Sequence, residues 1–373
     1  MLSDLFPKSR KHPDYVLLTA IGSLLALGIL ILSSVSASFS FEKSGDTYYF
    51  LKHQLIFGLL PGLALGYLAF RINLSALKKW SPILLLFTFL LMIAVFLPAV
   101  GSKLEGASRW LNLGFFSFQP SELLKLSFIL YVASWLTSQT ENKSQVDFNK
   151  TFRAFLAILT VIVILLFLQS NLSTLIVIAV VGVTMYLSLH TPLKHIPLIF
   201  ALGAGALVLL IKIAPYRMNR FLVFLNPDLD PMGIGYQLKQ SLIAVGSGGI
   251  AGVGLGMSAQ KLGYLPQTIS DSIFAVFAEE TGFLGSLFLV SAFLFLAWRG
   301  FKIAKEVPDK FLKLTALGIT SWIIVQSFVN IGAMIGIVPL TGIPLPFISY
   351  GGSALAIELA ATGILLNISK NRQ

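Results

Sequence analysis

Within "YLPQTISDSIFAVFAEETGFLG", residues 264–285, three carboxylates stand in or beside an apolar run: Asp271, Glu279 and Glu280. A carboxylate can take a proton as a general base, or it can tie helices together through polar contacts. Glu122 and Lys125, at i and i+3, can pair on one helix face, and Glu358 lies in another apolar stretch. Basic side chains suited to an anionic group stand nearby in sequence: Arg109 beside Trp110, then Arg217, Arg220, Lys239 and Lys261. The chain has no cysteine, which excludes disulfides, thiolate metal sites and cysteine nucleophiles. His12, His53, His190 and His195 are scattered without metal-ligand spacing, so no protein metal site is assigned.

The elements that carry these residues are membrane helices. Of 373 residues 56% are hydrophobic and 12% charged, with a mean hydropathy of +0.84. A soluble domain would carry about twice that charge. Apolar runs of roughly 18 residues or more recur, long enough to cross a ~30 Å hydrocarbon core. They predict an all-α polytopic membrane protein of ten spans, near 15–36, 51–70, 81–99, 121–137, 152–169, 171–189, 193–213, 272–298, 311–337 and 346–368. The whole chain, 1–373, reads as one transmembrane domain without a soluble module or an internal repeat. That last point counts against the transporter folds built from inverted halves. The N-terminus resembles a signal peptide, but its apolar run is too long for one and reads as an uncleaved first helix.

An even count puts both termini on one side. With residues 1–14 cytoplasmic, the inside segments hold 17 Lys and Arg and the outside segments 9, Lys125 lying within a span. The positive-inside rule fixes that orientation. It also accounts for the net charge of +11 without nucleic acid as a partner. The extracytoplasmic loops are then 100–120, 338–345 and the long 214–270 between spans seven and eight.

Orientation converts to depth. Asp271 opens the eighth span at the outer surface, and Glu279 and Glu280 sit roughly 12–13 Å deeper, near the midplane. Glu279 lies within about 80° of the Asp271 face and Glu280 nearly opposite. A charge at that depth costs on the order of 2.5–3.5 kcal/mol, so these acids need partners. Four intramembrane glutamates face one intramembrane lysine, which leaves some to be protonated, bonded to backbone or hydroxyls, or facing water. Ser270-Asp271 is equally a good helix start, with the carboxylate against the positive end of the dipole. Position alone does not separate that role from catalysis.

Residues 233–263 hold 9 of the 31 glycines. No Gly-Lys-Ser/Thr follows and no strand precedes, so this is not a nucleotide-binding P-loop. Such backbone can cradle a phosphate or let a loop fold back against the membrane, the latter being favoured locally. Leu238, Leu242 and Val245 share one face of "YQLKQSLIAV", as a short interfacial helix requires.

Four stretches, in order across essentially the whole chain, carry a family resemblance: "GASRWLNLGFFSFQPSELLKLSFIL", "DPMGIGYQLKQSLIAVGSGGIAGVGLGMSAQKLGYLP", "DSIFAVFAEETGFLG" and "GIVPLTGIPLPFISYGGS". They resemble the SEDS family of shape, elongation, division and sporulation proteins, typified by FtsW, RodA and SpoVE. "GLGMSAQKLGYLP" looks more like the division-type FtsW branch, while "FLNPDLDPMGIGYQ" suits RodA as well. The resemblance implies a peptidoglycan glycosyltransferase, an inverting hexosyltransferase that polymerises lipid II at the outer face of the cytoplasmic membrane for septal wall synthesis. Elongation in the manner of RodA is the alternative. It implies a class B penicillin-binding protein transpeptidase as partner, with other divisome or elongasome membrane proteins. It also implies a divalent cation, Mg²⁺ or Mn²⁺, bound with the substrate pyrophosphate.

Carried onto this chain, the family's essential aspartate is Asp271, the expected catalytic residue. Its "SRW" arginine is Arg109, which with Arg217, Arg220, Lys239, Gln240, Lys261 and Ser349 forms the expected substrate-binding set. Its "QPSE..K" motif is Gln119, Pro120, Ser121, Glu122 and Lys125, and its paired acids are Glu279 and Glu280. Gln119, Ser121, Glu122, Lys125, Glu279, Glu280 and Glu358 are expected to support the site.

The chain departs from the family pattern at Gln267, Ser272, Asn171, Ala354 and Glu358. Asn171 replaces an acid, and Glu358 compensates for it only if the helices bring the two together. A lipid II flippase that forms no bond is the rival reading, favoured by the buried acids and opposed by the bias of polar residues to one half. A decayed, inactive scaffold is a third reading, opposed by the retained Asp271 and Arg109.

Overall fold

The computed structural model describes residues 12–104, 107–112, 114, 116–141, 147–189, 191–192, 195–213 and 215–372. Helix α1 (Tyr15–Ser44) begins where the Asp14 carboxylate accepts the Leu17 amide at 2.9 Å. Next come α2 (Tyr49–Gln54), a π-turn over Leu55–Leu59, α3 (Leu60–Arg71) and α4 (Leu74–Ala94). Helices α5 (Pro120–Glu141), α6 (Phe148–Leu168), α7 (Leu172–Leu187) and α8 (His195–Ile213) follow. Two short helices, α9 (Pro215–Leu225) and α10 (Ile234–Ser247), precede α11 (Ile273–Glu306), α12 (Lys310–Met334) and α13 (Gly352–Ile368). Asn73, Asp147, Asn171 and Asp309 cap α4, α6, α7 and α12 with side-chain oxygens, satisfying amides that a helix start leaves open.

The protein is an all-α membrane protein in its bundle. Among the described residues seven helices are long and apolar enough to cross a bilayer, Tyr49–Arg71 counting as one. At the other three predicted spans stand α5, with Glu122 in its first turn, and the shorter apolar α7 and α8. The bundle's interior is α12 and α13, whose sides are mostly buried and include the fully buried Trp322. Gly58, Gly62 and Gly66 let α3 lie against α13. A Cβ at Gly62 would meet Leu359 Cδ1 at 2.6 Å, and one at Gly363 would meet the Gly66 carbonyl at 2.2 Å. Small residues at four-residue spacing are a packing device of membrane helices.

Two features depart from the sequence reading. The segment 100–120 is not a plain loop but holds a three-stranded antiparallel sheet, β1 (Gly101–Leu104), β2 (Ala107–Asn112) and β3 (Ser117–Phe118). In α10 the buried face is Gly235, Leu238, Ser241 and Ala244, while Leu242 is exposed. Small residues serve there because α10 packs closely against α11 and α12: Ser241 Oγ reaches Met334 Sδ at 3.6 Å.

The two ends of the described chain meet. Asp14 pairs with Arg299 and Arg372, each at 2.6 Å, and its amide donates to Ser369 Oγ at 2.9 Å. Burial opposes ionisation of Asp14, but the hydrogen bonds from Arg299 and Leu17 and the Arg372 charge outweigh it, holding the carboxyl below its ordinary value.

Candidate active site

Helix α11 is broken. Gly282 has φ 67 and ψ −162, which detaches the carbonyls before it and the amides after it from the helical ladder. The glycine-rich segment folds down to satisfy them. Val253 and Gly254 amides donate to the Glu279 and Glu280 carbonyls at 3.0 and 3.1 Å. Phe283 and Leu284 amides donate to the Gly249 and Ile250 carbonyls at 2.9 and 3.1 Å. Irregular backbone is tolerated at membrane depth only where protein supplies such partners. Gly252 is required there, since a Cβ on it would lie 2.2 Å from the Glu280 carbonyl oxygen.

The same folded-back segment supplies partners to the two buried acids, a cation to Glu280 and hydrogen-bond donors to Glu279. Lys261 Nζ reaches Glu280 Oε1 at 2.9 Å and the Gly256 carbonyl at 2.7 Å, while Ser34 from α1 donates to Glu280 at 3.1 Å. Glu279 accepts from the Ser258 hydroxyl and from the Ala259 and Gln260 amides, at 3.2 and 3.4 Å. Lys261, expected against substrate, therefore sits buried against Glu280, and the acids pin the loop to the helix.

Asp271 stands half-buried on the turn that leads into α11. The N-cap of α11 is Ser272, whose own side chain does not cap the helix. Ser272 Oγ instead accepts from Gln237 of α10 at 3.1 Å, and Gln267, at φ 54, takes the Ser270 and Ser272 amides on its carbonyl at 3.2 and 3.1 Å. The segment 340–350 closes around this turn. Gly342, at φ 67, lies against the carboxylate: a Cβ there would be 3.3 Å from Asp271 Oδ2. Asn330 of α12 donates to the Asp271 and Ile343 carbonyls, both at 2.8 Å. Ser349 donates to the Ser270 carbonyl at 2.5 Å, and the Tyr350 amide to the Ile269 carbonyl at 2.8 Å. Arg220 of α9 donates to the Leu340 carbonyl at 3.1 Å, and Ser173 of α7 to the Thr341 carbonyl. Four helices thus place one carboxylate beside a glycine backbone and, two residues before it in the chain, a carbonyl held by an arginine.

A second polar network lies under this loop. Lys125 pairs with Glu122 at 2.8 Å, donates to Gln326 Oε1 at 2.7 Å and sits 4.9 Å over the Trp322 ring. Gln326 Nε2 reaches the Pro344 carbonyl at 3.0 Å and Glu358 Oε1 at 3.5 Å. Glu358 Oε2 accepts the Phe347 amide at 2.9 Å, where Phe347 holds φ 64. Glu358 is thus a loop anchor. Asn171 is elsewhere, donating to Ser121 Oγ at 3.1 Å and capping α7 through the Thr174 amide.

The remaining expected residues spread along the same region. Arg109 of β2 donates to the Gln169 and Ser170 carbonyls at 3.2 and 2.5 Å, clasping the α6–α7 turn. The Gln119 amide donates to Ser353 Oγ at 3.3 Å. Lys239 pairs with Asp228 on an exposed surface, and Gln240 beside it is half-buried. Arg217 belongs to α9, but its side chain lies outside the described residues. Sequence reading missed Asn330 and Gln326. Their signal was available, since two carboxamides four apart in an apolar helix share a face and demand partners.

Among the described residues no three His, Asp or Glu side chains converge to hold an ion. The protein donors alone do not make a resident metal site around Asp271.

The family model described as "Cell cycle protein", covering FtsW, RodA and SpoVE, matches residues 15–373. The chain is 37% identical over 361 residues to Stage V sporulation protein E of Bacillus subtilis, covering 97% of this chain and 98% of that one. It is 39% identical over 360 residues to the "probable peptidoglycan glycosyltransferase FtsW" of Nitrosomonas europaea, covering 95% and 92%. Among solved structures it is similar to one described as "Structural coordination of polymerization and crosslinking by a peptidoglycan synthase complex". That match has a TM-score of 0.77 and 27% identity over 96% of this chain and 98% of the other. RodA of Thermus thermophilus matches with a TM-score of 0.71 and 25% identity, covering 96% and 97%.

Proposed function

Because this chain belongs to the SEDS family and is a peptidoglycan glycosyltransferase, we propose that it polymerises lipid II with Asp271 as general base. The observation that carries the reading is the Asp271 turn: a half-buried carboxylate held by four helices beside the Gly342 backbone. In the step proposed, Asp271 takes the proton of a sugar 4-hydroxyl as that oxygen attacks an anomeric carbon. The bond from that carbon to the lipid pyrophosphate breaks on the opposite face, and the configuration inverts. Arg220 and Arg109 hold carbonyls of the loops around the site, and Arg220 has its Nε buried without a hydrogen-bond partner, a donor suited to the departing anion. We assign Arg217, Lys239 and Gln240 to the same approach surface, and Lys261 and Ser349 to holding its loops. A divalent cation, Mg²⁺ or Mn²⁺, brought in with the substrate pyrophosphate would offset its charge.

Ten spans with both termini cytoplasmic form the topology of this proposal, in the cytoplasmic membrane and with Asp271 on the outer side. The ion pairs joining Asp14 to Arg372 support an even count, and the excess of Lys and Arg on that side supports the orientation. Septal synthesis is proposed over elongation on the FtsW relatives at 36–39% identity, beside which a sporulation relative stands at 37%. The partner proposed is a class B penicillin-binding protein, in keeping with the synthase complex among the structural neighbours, with other divisome membrane proteins around it. Transport without bond formation is disfavoured because the buried acids are occupied by protein partners rather than lining a path.

Purified chain in liposomes containing lipid II tests this. The parent, with a transpeptidase partner supplied, yields glycan polymer, and Asp271→Ala yields at most about a hundredth of the parental rate. Polymer at the parental rate from Asp271→Ala would falsify the assignment, and movement of lipid II without polymer would favour transport.

A further inference from the structure

Asn330 lies near the C-terminal end of the apolar helix α12, only 1% exposed, where a carboxamide is costly unless its groups are paired. Both of its bonds run from Nδ2, one to the Asp271 carbonyl and one to the Ile343 carbonyl, each at 2.8 Å. Its Oδ1 is buried and has no hydrogen-bond partner. The orientation is chemically fixed, because turning the amide over would set its oxygen against two carbonyl oxygens. An orphaned buried acceptor is costly, and native structures keep few of them.

The two carbonyls identify what that cost maintains. One belongs to Asp271 itself, and the other is next in chain to Gly342, whose backbone lies against the Asp271 carboxylate. One amide group thus holds both segments at once. Ser349 ties the same loop to Ser270, one residue earlier, through the Ser270 carbonyl. Gly342 at φ 67 has no side chain to fix its distance from the carboxylate, so that distance is set by the bonds that hold its segment, and the Asn330 clasp is the one that joins it to the Asp271 peptide itself.

We propose that Asn330 is a positioning residue for the glycosyl transfer: it sets the Asp271 peptide and the Gly342 segment at the separation in which the carboxylate meets the acceptor hydroxyl. This rests on the reading of Asp271 as base. Asn330 touches neither substrate nor reacting atoms, and acts on turnover rather than on affinity. Displacing a reacting group by about 1 Å can cost on the order of 100-fold in rate.

The test uses full-length chain in liposomes with lipid II, comparing the parent, Asn330→Leu, Asn330→Gln and Asp271→Ala by initial rate and by thermal stability in detergent. Asn330→Leu removes both donors and the orphan Oδ1 but leaves the Asp271 and Ile343 carbonyls without this donor, so it folds with a melting temperature a few degrees below that of the parent. Its kcat falls on the order of 10- to 100-fold with KM for lipid II within about twofold. Asn330→Gln keeps the donors on a longer arm and recovers part of the loss. Parental kcat in folded Asn330→Leu, while Asp271→Ala is inactive, overturns this inference alone. A raised KM at unchanged kcat overturns it too, since that is a binding role. Activity in Asp271→Ala overturns the reading beneath it. Should Asn330→Leu not fold, a folded Asn330→Gln with a lowered kcat and unchanged KM supports the inference, and parental kinetics in it overturn it.

Discussion

Lys261 and Glu280 are 7% and 3% exposed at their side chains, and neither can be removed alone without stranding the other. Lys261→Met leaves a buried carboxylate with only the Ser34 hydroxyl, a loss of about 3–5 kcal/mol. Lys261→Met combined with Glu280→Gln removes both charges and recovers most of that stability. Thermal unfolding of the three proteins in detergent checks this, and a double variant no more stable than Lys261→Met would count against the pair. The acids in the apolar run were legible as needing partners, because charge at midplane depth is expensive whatever the fold. Their partner was not legible: Lys261 belongs to a loop 19 residues earlier and reads as surface charge. Only the fold-back of that loop brings it down. Asp271, by contrast, was found through the motif around it, and what the structure adds is that Ser272 takes the cap position.

The fold-back is a property of elements, and its cause is the gap at Gly282. A helix interrupted inside a membrane exposes carbonyls and amides that lipid cannot satisfy. The segment 249–254 supplies four backbone hydrogen bonds to it, and only glycine allows so close an approach. A Cβ on Gly282 would lie 2.4 Å from the Gly252 nitrogen and 2.6 Å from the Ile250 oxygen, both backbone atoms. Gly249 also has a positive φ, 53, but nothing within 4 Å of its would-be Cβ. Gly249→Ala therefore costs about 1–2 kcal/mol of backbone strain, while Gly282→Ala must part the loop from the helix. We expect Gly249→Ala to yield folded protein and Gly282→Ala to yield little, measured as the monodisperse fraction after detergent extraction. Equal yields would show that the approach is not required. Hydropathy placed helices at the predicted spans because about twenty apolar residues in a row have few other structures available. It gave no sign of the break, since Gly282 in an apolar run reads as an ordinary helix residue, nor of the small sheet at 101–118, whose strands are too short for periodicity.

At the scale of the molecule, the chain closes on itself through one carboxylate. Asp14 caps α1, pairs with Arg299 at the far end of α11 and with Arg372 beyond α13, and its own amide donates to Ser369. That closure brings the start of α1 and the segment after α13 together at one end of the bundle. The closure itself was not legible, because Asp14 sits among polar N-terminal residues 358 positions from Arg372. Its consequence is a defined dependence on pH. The Asp14 carboxyl is held below its ordinary 3.8, so the folded state binds its proton less readily than the unfolded chain does. The stabilisation is therefore fully present above pH 3.8 and is lost as pH falls through the lower folded value. Asp14→Asn removes it at every pH. The parent should melt above the Asp14→Asn protein at neutral pH, by a gap that stays constant down to the carboxylate range and closes below it. No gap at neutral pH would mean that the cap geometry, which asparagine also supplies, and not the charge on Asp14, joins the two ends.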